Sequence, residues 1–206
     1  MPLRAWRCDS SLAHQMLYTK KGDKGKTGTF ACNQRISKSS ATTEALGALD
    51  ETNSFLGICK IKSRDSRFKI HDSGFEDIVN KVQNNLFIIQ AEVAGAEKTI
   101  AGEKVKEIEK IIDWAEKELP PIKTFFISGA TELSALFDTA RTIARRAERR
   151  VVEVSDSFDE AQDKDGKVKV GENSLAYLNR LSSLLYALAR LSAHKSGAKE
   201  KSPDYN

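Results

Sequence analysis

The sequence predicts an all-α protein, built as a single five-helix up-and-down bundle. Three observations support this prediction: a length sufficient for one hydrophobic core, a composition poor in turn residues, and apolar residues at helical spacing. The chain has 206 residues, of which 40% are hydrophobic, and only 12 are glycine and 4 are proline. A chain of this size buries a core without dividing into domains, and so few glycines and prolines suit helices better than a turn-rich sandwich.

Five segments carry apolar residues at steps of three and four, the period of a helix with one buried face. The predicted helices span 42–60, 75–93, 103–119, 131–154 and 173–195. The polar Asn53 interrupts the apolar face of the first helix, and Pro120 and Pro121 end the third. Asn173 is expected to cap the last helix, and Gly197 to follow its end.

The segments outside the helices complete the predicted organisation. We expect residues 1–16 to be a disordered tail or an over-extended start, and residues 17–195 to form one domain that opens with a loop at 17–38. Residues 155–172 are polar and predict a surface loop. Residues 196–206 are expected to be a frayed C-terminal tail.

Charge, cysteine usage and hydropathy exclude several classes of protein. The net charge of +4 is too small to imply nucleic acid by itself. Three cysteines without CxxC spacing and three scattered histidines argue against a disulfide framework and a zinc site. No apolar run approaches the roughly 20 residues that span a bilayer, and the start lacks the apolar core of a signal peptide. We therefore expect a cytoplasmic protein without a metal site built from its own side chains.

Residues 17–38 combine glycines, lysines and hydroxyls without helical period, which predicts an extended basic loop. Gly22, Gly25 and Gly28 leave backbone N–H groups accessible, and the neighbouring lysines supply charge, as a polyphosphate requires. The match to a P-loop is weak, because Lys20 occupies the position of the first glycine and no buried strand leads into the segment. A basic loop without a ligand is the alternative at this point.

On the fourth predicted helix, a polar stripe runs beside the apolar stripe rather than opposite it. At about 100° per residue, four residues share this polar stripe: Arg141, Arg145, Glu148 and Arg149. Arg146 and Arg150 point away from the core. Cations next to a buried face are costly unless an anion or a partner carboxylate meets them. The alternative is a solvated face or an intersubunit salt-bridge face. A nucleic-acid binder is disfavoured, because Glu148 and Glu153 intervene and no aromatic stacking residues accompany the arginines.

The fifth predicted helix repeats the arrangement, with polar residues on one side and leucines on the other. The polar strip consists of Asn179, Ser183, Tyr186 and Arg190, at steps of four, three and four residues. This spacing suits a ligand-facing strip and the exterior of a bundle equally well.

Taken together, these clusters resemble the PduO-type ATP:corrinoid adenosyltransferases. The matching residues follow the family's order between about 17 and 195: 18–27, 37–38, 44–45 with Gly47, 50–53, 125–129, 141–142, 145–150 and 177–182.

The resemblance implies a ferritin-like five-helix bundle that assembles as a homotrimer, with ATP at each seam between neighbouring subunits. It assigns nucleotide contacts to the following residues: Thr19, Lys20, Lys21, Gly22, Thr27, Lys38, Arg145, Arg146, Glu148, Arg149 and Asn179. It gives Arg145 a catalytic role as well. It also implies that Asp50 and Arg141 pair across the seam, and that Phe125 stands where the family's phenylalanine displaces the lower ligand of the corrinoid.

The implied reaction moves the 5′-deoxyadenosyl group of ATP to the Co(I) of a reduced cobalamin-type corrinoid and releases triphosphate. Co(I) is itself a strong nucleophile, so the protein needs no Ser, Cys or His for the attack. Mg²⁺ and cationic side chains meet the charge of the leaving triphosphate, and alignment supplies most of the remaining help. A reductase that makes Co(I) and a client enzyme that uses the product are the implied partners.

Five positions depart from the family's pattern. Ser183 and Tyr186 stand where Asp and Phe are usual, and both lie on the strip that would face the corrinoid. Lys21, Ser128 and Ser39 replace a usual Thr, Pro and Asp. An escort protein that holds adenosylated corrinoid for a client is therefore an alternative function, for which Ser183 and Tyr186 are the suggestive residues.

Overall fold

The computed structural model describes residue 18 and residues 20–29, 35–159 and 169–205, and these ranges contain five α-helices. The helices are α1 (Ala41–Lys62), α2 (Phe75–Val93), α3 (Gly102–Glu118), α4 (Glu132–Asp159) and α5 (Glu172–Lys195). All five predicted helices are confirmed. The main difference is α4, which continues through residues 155–159, where the sequence predicted a loop, because this polar stretch contains no glycine or proline to stop a helix.

Side-chain contacts show that successive helices alternate in direction. Helices α1 and α4 are antiparallel, because Lys62 contacts Glu132 at one end and Glu51 contacts Arg146 nearer the other. Helices α4 and α5 are antiparallel by the same criterion, since Glu148 bonds Asn179 and Asp138 bonds Arg190. Helix α2 packs on α1, and α3 packs on α5. The predicted up-and-down bundle is therefore the observed one.

The core follows the predicted apolar stripes. On α4, the buried positions include Leu133, Ala140, Ala147, Val151 and Val154. Helix α5 is buried on most of its circumference because it contacts both α3 and α4. Asn53 is only 6% exposed, as its place on the apolar face of α1 predicted, and its side-chain oxygen has no hydrogen-bond partner.

Two short hairpins accompany the helices, which the all-α prediction did not include. Strands β1 (Lys26–Gly28) and β2 (Arg35–Ser37) pair antiparallel, with Thr27 opposite Ile36. Strands β3 (Lys69–Ile70) and β4 (Ser73–Gly74) form the second hairpin, in the link between α1 and α2. The first hairpin lies within the segment predicted to be an extended loop.

The start of α5 differs from the prediction that Asn173 caps it. The N-cap is Gly171, and its N–H donates to the Glu92 carboxylate at 2.8 Å. The hydroxyl of Ser174 donates to the same carboxylate, which is only 6% exposed. Because α2 supplies this acceptor, the helix begins before Asn173. At the other end the prediction is confirmed, since Gly197 follows the helix in the left-handed region with φ of 68°.

The chain beyond α5 lies against the bundle at two points, so the predicted fraying does not begin at residue 196. Glu200 contacts Arg190, and the carbonyl of Lys201 accepts a hydrogen bond from the Ile127 N–H at 2.8 Å. Residues 1–16 lie outside the described part of the chain. Within the described ranges, no helix combines the length and apolar character that crossing a bilayer requires.

Candidate functional site

The basic loop is folded back on itself by two cationic residues from its second half. The Arg35 guanidinium donates to the Lys26 carbonyl at 2.9 Å and also to the Lys21 carbonyl. The Lys38 N–H donates to the Gly25 carbonyl at 2.9 Å. The Lys38 amine also lies 3.0 Å from the point where a Cβ at Gly22 would stand. Gly22 therefore leaves room for a cation directly above the backbone, as an anion site requires.

Lys20, Lys21 and Thr27 are the remaining predicted loop residues that the structure describes. Lys20 has φ of 58°, an uncommon left-handed conformation for a residue other than glycine, and its amine lies 5.7 Å from the centre of the Tyr18 ring. Lys21 is exposed, and Thr27 is half-buried in β1. Thr19 lies outside the described residues.

The loop is tied to the beginning of α1. Ser40 is the N-cap, and its hydroxyl accepts a hydrogen bond from the Thr43 N–H at 3.3 Å. The Thr43 hydroxyl donates back to the Ser37 carbonyl at 3.0 Å. These bonds satisfy donors that a helix start leaves open, and they fix the loop at one end of the bundle.

The arginines of α4 fall into two groups by the ion pairs that they make within the described part of the chain. Arg146 and Arg150 are engaged within the chain, by ion pairs with Glu51 and with Glu153, the latter at 3.0 Å. Arg145 and Arg149 are exposed, and the one bond between them runs from the Arg149 guanidinium to the Arg145 carbonyl at 3.2 Å. Within the described part of the chain, the Arg145 guanidinium has no ion-pair partner.

Glu148 and Asn179 join the polar stripes of the two helices. The Asn179 amide donates to the Glu148 carboxylate at 2.9 Å and accepts from Arg180 at 2.7 Å. Glu148 is therefore engaged by a neutral donor rather than by either exposed arginine. This leaves a ridge of two cations, a carboxylate and an amide on the open side of α4 and α5.

The ridge lies near the middle of α4, and the loop is anchored at the end of the bundle toward which α4 runs. Glu51 meets Arg146, so the start of α1 at Ala41 lies about 15 Å further along the axis at 1.5 Å per residue. Arg149 lies between these two levels. A polyphosphate is an extended anion, so it could contact cations at both levels.

Arg141 and Asp50 are not brought together within one chain. Asp50 is exposed on α1. The Arg141 Nε lies 3.9 Å from Asp138, is buried, and has no hydrogen-bond partner. A half-buried guanidinium with an unsatisfied donor has capacity for a second carboxylate.

Phe125 lies in the segment before α4 and is 76% exposed. The chain turns at Gly129, whose φ of 106° is accessible mainly to glycine. The Arg190 guanidinium lies 5.6 Å from the ring of the adjacent Phe126 and pairs with Asp138. Asp138 is seven residues from Arg145, so this ion pair lies about 10 Å from Arg145 along the axis of α4.

Sequence reasoning missed the ion pair of Asp138 and Arg190. Arg190 was assigned to the polar strip of α5, but it is only 2% exposed, whereas Asn179 and Ser183 on the same strip are exposed. Its Nη2 donates to Asp138 at 2.5 Å. The sequence offered little signal, because at about 100° per residue Asp138 falls on the polar stripe of α4 beside Arg145 and Arg149, and Arg190 falls on the polar strip of α5.

Other chemistries find little support in the described part of the chain. No group of three or more His, Cys, Asp or Glu side chains there is placed to hold a metal ion. Cys59 is buried, which raises the pKa of its thiol to about 12 and leaves it unreactive at neutral pH. A cavity of about 430 Å³ opens beside Glu92, Lys98 and Lys169. It is lined by none of the predicted site residues.

Comparison with known proteins gives one consistent result. The family model of the cobalamin adenosyltransferases matches residues 17–192. A corrinoid adenosyltransferase of Bacillus subtilis is 35% identical over 188 residues, which is 88% of each chain. The human corrinoid adenosyltransferase MMAB is 32% identical over 198 residues, covering 90% of this chain and 72% of its own.

Coverage is less complete for one group of relatives. Corrinoid adenosyltransferase PduO of Citrobacter freundii is 34% identical over 185 residues, which is 86% of this chain and 50% of its own length. The chain thus spans about half the length of this relative and of its Salmonella typhimurium counterpart, where the share is 48%.

Solved structures agree with the sequence comparison. A variant PduO-type ATP:corrinoid adenosyltransferase from Lactobacillus reuteri, complexed with cobalamin and ATP, matches with a TM-score of 0.79 at 26% identity. The match covers 92% of this chain and 97% of that one. A second variant from the same organism, complexed with ATP, has a TM-score of 0.76.

Proposed function

Because the chain belongs to the cobalamin adenosyltransferase family, we propose that it transfers the 5′-deoxyadenosyl group of ATP to the Co(I) of a reduced corrinoid. The cobalt electron pair forms the Co–C5′ bond. The bond between C5′ and the phosphate oxygen breaks, and triphosphate leaves with the electron pair of that broken bond. The products are an adenosylated corrinoid, such as adenosylcobalamin, and triphosphate.

The observation that carries this proposal is the open cationic ridge near the middle of α4, together with the basic loop anchored about 15 Å further along the axis of the bundle. Arg145 and Arg149 are exposed cations, and Lys38 holds its amine over Gly22. Charge-assisted hydrogen bonds of this kind stabilise a leaving polyphosphate because they are in place before its charge develops. We assign Thr19, Lys20, Lys21, Thr27 and Arg146 to the same nucleotide, with Glu148 and Asn179 shaping its pocket.

Mg²⁺ enters as part of the substrate Mg-ATP. It prefers six oxygen ligands and commonly takes most of them from phosphates and water, with one or two carboxylates. Glu148 is the carboxylate on the ridge and is half-buried. One such carboxylate is enough for a metal that takes most of its ligands from phosphates and water.

We further propose that the site is completed by a second copy of the chain in a homotrimer. Arg141 keeps 31% of its side chain exposed and Asp50 is exposed, so both are accessible to a neighbouring subunit, which supports a pair formed between subunits. Asp50→Arg and Arg141→Asp should each weaken assembly, because each sets like charges against each other. The double variant should restore it, as measured by light scattering after size exclusion. Assembly that is equally weak in the double variant would contradict the pair.

Phe125 is assigned to the lower face of the corrinoid. An apolar ring at that face displaces the lower ligand, which makes Co(II) four-coordinate and easier to reduce. Phe125 is 76% exposed, so little of its ring is used for packing within the chain. Its side chain is therefore available to a ligand.

The direct test mixes the protein with Mg-ATP and a chemically reduced corrinoid and follows formation of the light-sensitive cobalt–carbon product. We expect one triphosphate for each adenosylated corrinoid over many turnovers. A stoichiometric burst followed by very slow release would favour the escort function instead. We place the reaction in the cytoplasm, between a reductase that supplies Co(I) and a client enzyme that uses the product.

A further inference from the structure

We propose that the tail segment, residues 198–205, is a strap that positions the Phe125 segment, and that Glu200 and Arg190 are positioning residues for it. The strap as a structural element stands on contacts within the chain. Its catalytic consequence rests on the proposed function, in which Phe125 faces the corrinoid.

The segment that carries Phe125 has little support of its own. Residues 120–130 contain no helix or strand, and two of them are prolines that lack an N–H group. Among the described residues, a single backbone–backbone hydrogen bond anchors this stretch, from the Ile127 N–H to the Lys201 carbonyl at 2.8 Å. The tail segment therefore supplies the main-chain support that the Phe125 segment lacks.

A buried cation connects the same two segments. Arg190 is 2% exposed and bonds Asp138 of α4 at 2.5 Å. Its Nε lies 3.1 Å from the Glu200 carboxylate of the tail, and its guanidinium lies 5.6 Å from the centre of the Phe126 ring. The Tyr186 ring lies on it as well, at 4.9 Å. One side chain thus joins α4, α5, the tail and the residue next to Phe125.

Burying the guanidinium of Arg190 costs free energy, so stability alone does not explain its place in the core. A buried ion pair is often no more stabilising than apolar side chains of the same size. What Arg190 adds is orientation, because the planar guanidinium can face an aromatic ring while its edge bonds carboxylates. In this proposal, contact with the guanidinium holds Phe126 in place and thereby positions the backbone that carries Phe125.

The two carboxylates do not hold Arg190 equally. Arg190 Nε and the Glu200 oxygen are close, yet the N–H is not aligned for a hydrogen bond, and both atoms are buried without another partner. Burial raises the pKa of Glu200, Arg190 opposes this shift, and Asp138 adds to it. Glu200 is therefore the weaker attachment, and altering it should loosen the strap without unfolding the bundle.

The first experiment measures the strap without reference to catalysis. Hydrogen exchange of the Ile127 amide is compared in three proteins: the full chain, a chain ending at Gly197, and the full chain with Glu200→Lys. The last substitution places a second cation next to Arg190. Lys199→Glu is the matched control, because Lys199 is its exposed neighbour in the tail. We expect exchange about tenfold faster in the two strap variants, since they lose one backbone hydrogen bond or its ionic support. Unchanged exchange in both would overturn the strap.

The second experiment measures positioning of Phe125. Turnover is compared from Co(II) with a reductant and from pre-reduced Co(I), together with the absorption signature of four-coordinate Co(II) in the presence of Mg-ATP. We expect the strap variants to lose about tenfold in the Co(II) assay and under threefold in the Co(I) assay, with less four-coordinate Co(II) and an unchanged Kd for Mg-ATP. Equal losses in both assays would overturn the positioning role.

The two experiments separate this inference from the proposed function. If the full chain adenosylates no corrinoid, the proposed function fails, and the exchange experiment alone decides the strap. If the shortened chain does not fold, Glu200→Lys supplies both readouts, because its bundle retains the Asp138 bond to Arg190.

Discussion

Replacing Arg145 with alanine tests the proposed site most selectively. The side chain is exposed on α4, and its guanidinium makes no ion pair within the described residues. Its one hydrogen bond uses the backbone carbonyl, which the substitution leaves in place. The change should therefore alter the free energy of unfolding by no more than about 0.5 kcal/mol, the usual range for a surface position.

The expected effect on turnover is much larger. A hydrogen bond to a charged group contributes about 1.5–3 kcal/mol, and the upper end applies where a subunit seam partly excludes water. A loss near 3 kcal/mol lowers the rate by at least ~100-fold. Arg145→Lys keeps the charge but not the planar fork, so we expect an intermediate loss of about tenfold.

The assay is adenosylation of pre-reduced Co(I) corrinoid at saturating Mg-ATP, with thermal unfolding measured on the same samples. Arg150→Ala is the matched control, because Arg150 is exposed on the same helix but pairs with Glu153 at 3.0 Å. We expect this control to retain nearly full turnover. If Arg145→Ala stays within about threefold of the unaltered protein, the arginine ridge does not serve the leaving triphosphate.

Three further predictions follow from other parts of the molecule. Phe125→Ala should reduce turnover from Co(II) far more than turnover from pre-reduced Co(I), and similar losses in the two assays would rule out the lower-face role. Asp138→Asn should lower the free energy of unfolding by about 3 kcal/mol in urea denaturation, because it removes the bonded carboxylate from the buried Arg190; a change below 1 kcal/mol, roughly a surface effect, would contradict this. Burial raises the pKa of Tyr177 to about 12, although the bond donated by Asn85 lowers it. The stability due to Tyr177 is thus fully present below about pH 10 and lost as the pH rises through its folded pKa, so Tyr177→Phe should flatten this part of a plot of Tm against pH, and superimposable curves would contradict the assignment.

The helices of the bundle were predictable because the spacing of apolar residues that marks each helix lies within one short segment of the sequence. Leu133, Ala140 and Ala147 recur at helical spacing, and the structure buries all three. The same period placed Arg145 and Arg149 on one stripe apart from Arg146 and Arg150; the structure leaves all four exposed, and among the described residues only Arg146 and Arg150 make ion pairs. Periodicity thus located both the core and the open ridge, since each depends on the angle around a single helix.

The errors arose where a distant segment supplies the partner. Arg190 was placed on a polar strip that would face a ligand or the exterior of the bundle, yet it lies in the core, where Asp138 of α4 and Glu200 from beyond α5 accompany it. Asn173 was expected to cap α5, but Glu92 of α2 satisfies the start of that helix instead. The contacts that Arg35 and Lys38 make with the first half of the basic loop likewise join residues that are distant in sequence. The spacing of residues within one segment does not reveal the contacts which that segment makes with another.

The central claim is that one nucleotide joins the basic loop and the α4 ridge where two copies of the chain meet. A crystal structure of the assembled protein with Mg-ATP tests it most directly. We predict a triphosphate within hydrogen-bond distance of Lys38 and of Arg145, with side chains from two subunits around the same nucleotide. A nucleotide bound with neither cation in contact, or enclosed by one subunit alone, would contradict the account.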